Sequence, residues 1–298
     1  MLKGDKIAIV GDLHGRYNGF DNEFLETQGF DLALFVGDLG SGSLNNGLHV
    51  IRTISRLRVP GLLIPGNNDS PHLAQLKAEL AFQSGKSELF RLMGPSTRRG
   101  VEPCGLSAHD LITQDGPVTL IAARPCAMGG SECSFPEQLD RNHQISSLEQ
   151  SEIKLKALVS AAPHRDLIFL AHNGPLGLGA ESNDLWGRDF ELPGMPDAPK
   201  DWGDSDLSAA ISHAEQLGKR VIAVIAGHMH RSPHRGRPLV QWKNEVAYVN
   251  AAATPRIRTV GGGEEHHFVE LTLDLKAALP LQVSERWVRS SGGQNEGE

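Results

Sequence analysis

With 298 residues, 39% of them apolar and only 5% aromatic, the chain has material for one large domain or two small ones around an aliphatic core. Its 29 basic against 36 acidic residues leave a net charge of -7, which disfavours a protein that grips duplex nucleic acid by neutralising phosphates. Three cysteines without a CxxC pair (Cys104, Cys126, Cys133) point to free thiols in a reducing compartment, and no apolar run approaches the roughly 20 residues of a membrane span. With the first strand starting at Lys6 there is no room for a leader, so a cytoplasmic protein is expected.

Short, continuously apolar runs at 6–10, 31–36, 61–65, 118–123, 167–171 and 221–226 predict strands covered on both faces. Helical patterns lie between several of them. Ser70-Pro71 reads as an N-cap with proline at the first helical position. Ser146-x-x-Glu149 reads as a capping box ahead of Leu148, Leu155, Val159 and Ala162. Ser205 opens a helix with Leu207, Ala210, Ile211, Ala214 and Leu217 on one face and Gly218 as its stop. The character then changes, with strands predicted at 245–252, 266–274 and 281–288 and no long helices between them. Alternating β and α units followed by a strand-rich end predict a layered α/β fold with two sheets. The expected organisation is a single domain over 1–288, with loop insertions near 84–117 and 173–204 and a disordered tail at 289–298. Residues 124–144, with Met128-Gly129-Gly130, also resist the alternation.

Five glycine-flanked motifs follow these strands and carry seven metal-ligand side chains. They are Asp12 and His14 in Gly-Asp-Leu-His-Gly, Asp38 in Gly-Asp-Leu-Gly, Asn67 in Gly-Asn-Asn-Asp, His172 in Ala-His-Asn-Gly, and His228 and His230 in Gly-His-Met-His. If the strands lie side by side, all seven groups meet at one end of the sheet. Asp12-x-His14 can aim two ligands at one ion, and the two oxygens of Asp38 can bridge two. Imidazole, carboxylate and amide donors without thiolate suit Mn²⁺, Fe or Zn²⁺ and speak against a closed structural zinc site. Two ions about 3.5–4 Å apart can stabilise both the attacking and the leaving oxygen of an in-line displacement at phosphorus. Taken singly, each motif has a plainer reading as a turn or a hydrogen-bonded histidine. Jointly, in this order, they do not.

The five motifs resemble those of the calcineurin-like metallophosphoesterase superfamily over residues 7 to about 230. That resemblance implies an αββα sandwich of two sheets and a site for two divalent or trivalent ions. Asp12, His14, Asp38 and His230 would hold the first ion, and Asp38, Asn67, His172 and His228 the second. It also implies a phosphoesterase in which a metal-bound hydroxide attacks a phosphomonoester or phosphodiester. Leu-Trp-Gly-Arg-Asp-Phe (185–190) and Trp-Gly-Asp-Ser-Asp-Leu (202–207) look similar to the DevT-like branch of cyanobacteria and plants.

Two departures stand out. The residue after the ligand asparagine is usually a histidine acting as general acid or phosphate contact. Here it is Asn68, followed by Asp69, and these two are the candidate catalytic residues. Asn68 is expected to orient phosphoryl oxygens; it cannot deliver a proton, so an acid borrowed from His109 or His143 is the alternative. Where protein phosphatases of the superfamily have Asp-Arg after the bridging aspartate, this chain has Leu39-Gly40-Ser41-Gly42. A small phosphorylated substrate is therefore favoured over a phosphoprotein. The rival reading is a non-catalytic or weakly catalytic metal-binding scaffold, with Asn68 as its mark; an amide or lactone hydrolase is weaker, since His-x-His-x-Asp-His is absent. Arg16 and the cluster Arg231, His234, Arg235 and Arg237 read as solvated charge or as substrate contacts. Asp184, Asp189, Asp204 and Asp206 read as acidic loop surface or a further cation site. Trp186 and Trp202 read as loop anchors or a lid, and Asn250 as a residue that can face the site.

Overall fold

The computed structural model describes residues 2–83, 100–188, 200–232 and 236–290. In chain order these form β1 (Leu2–Lys3), β2 (Lys6–Val10), α1 (Gly19–Thr27), β3 (Leu32–Phe35), α2 (Leu44–Ile54) and β4 (Gly61–Leu63). A 3₁₀ turn (Asn67–His72) runs directly into α3 (Leu73–Gln83). Then come β5 (Val101–Pro103), β6 (Ser107–Thr113), β7 (Gly116–Ala122), α4 (Pro136–His143), α5 (Leu148–Ala161) and β8 (Asp166–Leu170). A small pair, β9 (Gly187–Arg188) and β10 (Lys200–Asp201), precedes α6 (Ser205–Gln216) and β11 (Arg220–Ala226). The chain closes with β12 (Val240–Lys243), β13 (Val246–Asn250), β14 (Ile257–Val260), β15 (Gly263–Leu273) and β16 (Leu281–Arg289).

Two seven-stranded sheets result. Sheet one runs β14-β15-β2-β3-β4-β5, with β16 also paired to β15; sheet two runs β1-β6-β7-β8-β11-β13-β12. β2, β3 and β4 are mutually parallel, as are β7, β8, β11 and β13. The apolar runs are continuous because each strand is buried on both faces. Ile7 and Ile9 point into the layer between the sheets with Leu34, Leu120, Ile168, Ile225 and Val249. Ala8 and Val10 face α1, α2 and α3 through Phe24, Ile51 and Leu76. On the far side of sheet two, Ile121, Phe169 and Val224 pack on Leu155 and Val159 of α5 and on Leu207 and Ile211 of α6. The layers are thus helix, sheet, sheet, helix, the αββα sandwich that the sequence predicts.

Several boundaries differ. The turn after β4 begins at Asn67, so Ser70-Pro71 lies inside the 3₁₀ turn instead of capping α3. The α5 cap is one residue later than the sequence pattern: Ser147 Oγ accepts from Gln150 N at 3.2 Å, while Gln150 Oε1 accepts from Ser146 N. Leu217 caps α6 and is about half exposed, and Gly218 stops the helix with φ +70°. The stretch 84–117 is not one loop, since β5, β6 and the start of β7 are strands of the two sheets; 84–99 lie outside the described residues. The 173–204 segment carries β9 and β10, with 189–199 outside the description. Arg289 ends β16 and Ser290 N donates to Glu264 O, so only 291–298 of the expected tail lie beyond the described residues. Among the described residues no helix is long and apolar enough to cross a membrane.

Candidate metal centre

All seven sequence-picked ligands fall at the C-terminal ends of parallel strands. β2, β3 and β4 of sheet one deliver Asp12 and His14, Asp38, and Asn67; β8 and β11 of sheet two deliver His172, and His228 and His230. The backbone is bent sharply there. Asp12, His14, Asp38 and His228 all sit at positive φ (33°, 44°, 52° and 67°), a region that non-glycine residues occupy at a cost of order 1–3 kcal/mol each. Four such residues among seven ligands indicate that side-chain placement overrides backbone comfort.

The flanking glycines make the approach possible. A Cβ at Gly66 would overlap Asp38 Oδ1 and stand 2.6 Å from His172 Cε1, and one at Gly227 would overlap Asp12 Oδ1. Donor atoms converge in two groups, Asp12 with His14 and His230, and Asp38 with His172 and His228, each within 4.8 Å. In the first, His14 Nε2 is 3.0 Å from His230 Nε2, and His230 Nε2 is 3.3 Å from Asp12 Oδ2. In the second, His172 Nε2 lies 3.4 Å from Asp38 Oδ1 and 2.9 Å from Asn67 Oδ1. Asp38 Oδ2 reaches the first group, 3.8 Å from His14 Nε2.

These spacings suit ions. Donors bound to one ion at about 2.0–2.2 Å are held roughly 2.8–3.6 Å apart; the His14–His230, His230–Asp12, His172–Asp38 and His172–Asn67 pairs lie in that range, and the His14–Asp38 pair at 3.8 Å lies just beyond it. Charge points the same way. Burial opposes protonation of His172 and His230, yet Asp38 and Asp12 raise both above the usual imidazole range. Burial and the neighbouring His172 instead push His228 down to about 4. Burial would raise Asp12, but the His230 hydrogen bond and three surrounding imidazoles bring it to about 2. Asp12 and Asp38 thus favour positive charge at His172 and His230, while His228 stays neutral.

The supporting groups fix these ligands. His172 Nδ1 bonds Val36 O at 2.5 Å, which leaves Nε2 facing the centre. Asp69, buried beside the centre, is engaged with backbone: Leu39 N donates to Oδ1 and Gly66 N to Oδ2, both at 2.8 Å. Burial and the charge of Asp38 raise Asp69 to about 7. Its position ties the Asp38 loop to the Asn67 loop. Asn68 donates from its backbone to Asp38 Oδ1 at 2.9 Å and from its amide to Asp38 Oδ2 at 2.7 Å. The Asn68 amide is thus turned toward the Asp38 carboxylate. His109 lies elsewhere: its ring meets Ser107 Oγ at 3.0 Å and lines a groove with Asp31, Pro60 and Gly100, at the opposite ends of the strands. His143 ends α4, where burial with Lys77 and Lys154 lowers it to about 4.

The remaining candidates resolve into supports. Arg237 is buried and donates to the carbonyls of Asp184, Ser182 and Gly187; Arg231 pairs with Glu285 at 2.7 Å; so neither is simply solvated charge. His234, Arg235 and Asp189 lie outside the described residues. Arg16 is exposed, with a 3.4 Å contact to Ile257 O. Asp204 and Asp206 both pair with buried Arg124 (2.6 and 2.9 Å), and Asp184 Oδ2 accepts from Glu181 N, so these three described carboxylates do not gather as a cation site. Trp186 is buried and its indole donates to Gly227 O at 3.1 Å, bracing the turn before His228; Trp202 O accepts from Asn173 Nδ2. Asn250, fully buried, donates to Met229 O at 2.8 Å and so holds the residue between the last two ligands. Sequence reasoning missed Arg124, Asn173 and Arg256. Arg256 donates to the carbonyl of Arg16 and to Asp21 Oδ1, and no motif marks it.

Two helix-flanked sheets with imidazole, carboxylate and amide donors at their strand ends define an α/β sandwich with two candidate metal-binding groups. The chain belongs to the calcineurin-like phosphoesterase family, whose model matches residues 5–232, and this is a family of metal-dependent phosphoesterases. One solved structure covers 95% of this chain and 98% of its own at 14% identity, with a TM-score of 0.54, a likeness of fold. A novel phosphatase from Mycoplasma pneumoniae (10% identity, 97% and 95% covered, TM-score 0.40) is more distant. So is Vps29 of Chaetomium thermophilum (8%, 95% and 95%, 0.31), and at those scores neither bears on what this chain does. No curated protein matches the chain.

Proposed function

We propose that the chain is a binuclear phosphoesterase, with Asp12, His14, Asp38 and His230 holding one ion and Asp38, Asn67, His172 and His228 the other. The observation that carries this reading is Asp38, whose two oxygens face different donor groups at 3.8 and 3.4 Å. Mn²⁺, Fe or Zn²⁺ fit the donor set, and the bound pair supplies an activated water and neutralises charge at phosphorus. The chain's own part is placement. Asp69 and Asn68 hold the Asp38 carboxylate, Val36 O sets the His172 tautomer, and Asn250 and Trp186 hold the His228–His230 turn.

The substrate of this reading is a small phosphomonoester or phosphodiester, with a phosphoprotein second, and the setting is cytoplasmic. The Trp202–Leu207 match favours the DevT-like branch. The scaffold alternative rests on Asn68. One sample decides between them: purified protein given Mn²⁺, analysed for metal and screened against phosphate substrates. About two ions per chain with turnover, both lost in Asp38→Asn, supports the enzyme; bound metal without turnover on any substrate favours the scaffold.

A further inference from the structure

Asn68 is the residue whose placement says more than its type. Its two donors grip both oxygens of one carboxylate, Asp38, which faces both donor groups. Asp69 locks the same loop from behind, through Leu39 N and Gly66 N. His14, His228, His230, Asn67 and Asn68 are only partly buried, while Asp12, Asp38 and His172 are buried, so a substrate reaches the centre past the first five. Four of those five are candidate ligands, and the fifth is an amide turned toward Asp38. Of the two histidines that could serve as proton sources, His109 sits at the other end of the strands, and His143, at the end of α4, is pushed down to about 4 by burial and the charges of Lys77 and Lys154.

The geometry points to Asn68 as a positioning residue for Asp38, and to a centre that cleaves phosphoryl groups only from leaving groups that need no proton, such as phosphoanhydrides, aryl or enol phosphates. This deepens the phosphoesterase reading and rests on it. In the step, the oxygen of water forms a bond to phosphorus as the bond to the leaving oxygen breaks. The bonding pair departs with the leaving oxygen as an anion, and the proton of water passes to solvent. Among the described residues, neither His109 nor His143 is set to pass a proton to the leaving group, so its own stability as an anion sets the rate.

The test is the dependence of kcat/KM on leaving-group pKa across substituted aryl phosphates and an alkyl phosphate, beside calorimetric Mn²⁺ binding. The wild type should show a steep fall with rising pKa. Asn68→His should flatten that fall by raising the poorest substrates about 10²-fold or more, the usual scale of general acid catalysis. Asn68→Ala should weaken Mn²⁺ binding roughly 10–100-fold, and Asn68→Gln should recover part of it. A shallow slope in an active wild type overturns the leaving-group inference while leaving the phosphoesterase reading intact. Unchanged Mn²⁺ affinity in Asn68→Ala overturns the positioning role. Wild type that binds Mn²⁺ but turns over no phosphate overturns the phosphoesterase reading, and the leaving-group inference with it.

Discussion

At the scale of single residues, the centre is built by bending the backbone where the ligands are. His14, at φ 44°, carries its imidazole on a conformation that suits glycine better. His14→Gly and His14→Ala both remove the ligand, so their difference isolates the backbone. The glycine variant should be more stable than the alanine variant by about 1 kcal/mol in chemical denaturation, with metal binding reduced equally in both. Gly66 poses the opposite problem. Its φ of -90° tolerates any residue, but a Cβ would overlap Asp38 Oδ1. Gly66→Ala should therefore leave the circular dichroism unchanged and lower metal affinity at least tenfold; retained affinity in a titration would show that Asp38 has room to move. The convergence of these donors was legible because metal chemistry limits the residue types and glycines mark the sharp turns. The contact of Asn68 with Asp38 was not, because an amide's direction depends on a partner 30 positions away.

At the scale of elements, the strands were readable because double-sided burial makes them apolar throughout, as in β2 and β11. The α5 cap was missed by one residue because Ser146 and Ser147 both fit the pattern, and the choice depends on where the preceding chain enters. Ser147→Ala should cost roughly 0.5–1 kcal/mol and Ser146→Ala only a few tenths, measured by urea unfolding. The acidic pair at the start of α6 was the larger misreading. Asp204 and Asp206 look like surface charge in sequence, but Arg124, 80 positions earlier, takes them into the interior, and Ser151 of α5 also donates to Asp206 at 2.6 Å. Arg124→Met would strand two buried carboxylates and should destabilise by about 3–5 kcal/mol; adding Asp206→Asn should restore part of that loss.

At the scale of the whole molecule, the strand-rich end completes both sheets and braces the centre from outside the family match, which stops at 232. Arg231, next to the ligand His230, donates to Glu285 of β16, and His267 of β15 shares the same carboxylate oxygen at 2.7 Å. The hydrogen bond from His267, with Arg231, holds Glu285 at about 2, below its ordinary 4.5. A carboxylate depressed by folding stabilises above its unfolded pKa, and that stability disappears as pH falls through the folded value. Glu285→Gln should thus melt below wild type at pH 7, with the gap narrowing between pH 4.5 and 2. The effect is modest because Glu285 is about a third exposed. None of these partners is near another in sequence, so no local pattern could announce them.

Each donor group draws on both sheets: Asp12 and His14 from sheet one meet His230 from sheet two, and Asp38 from sheet one meets His172 and His228 from sheet two. An ion held there acts as a rivet through the sandwich, and its binding energy belongs to the closed assembly and to neither layer alone. Loading would thereby act as a proofreading step, since a chain whose sheets have not yet met offers an incomplete donor set for either ion. Saturating Mn²⁺ at about 100 times Kd should add about 2.7 kcal/mol to unfolding, and a chelator should remove it.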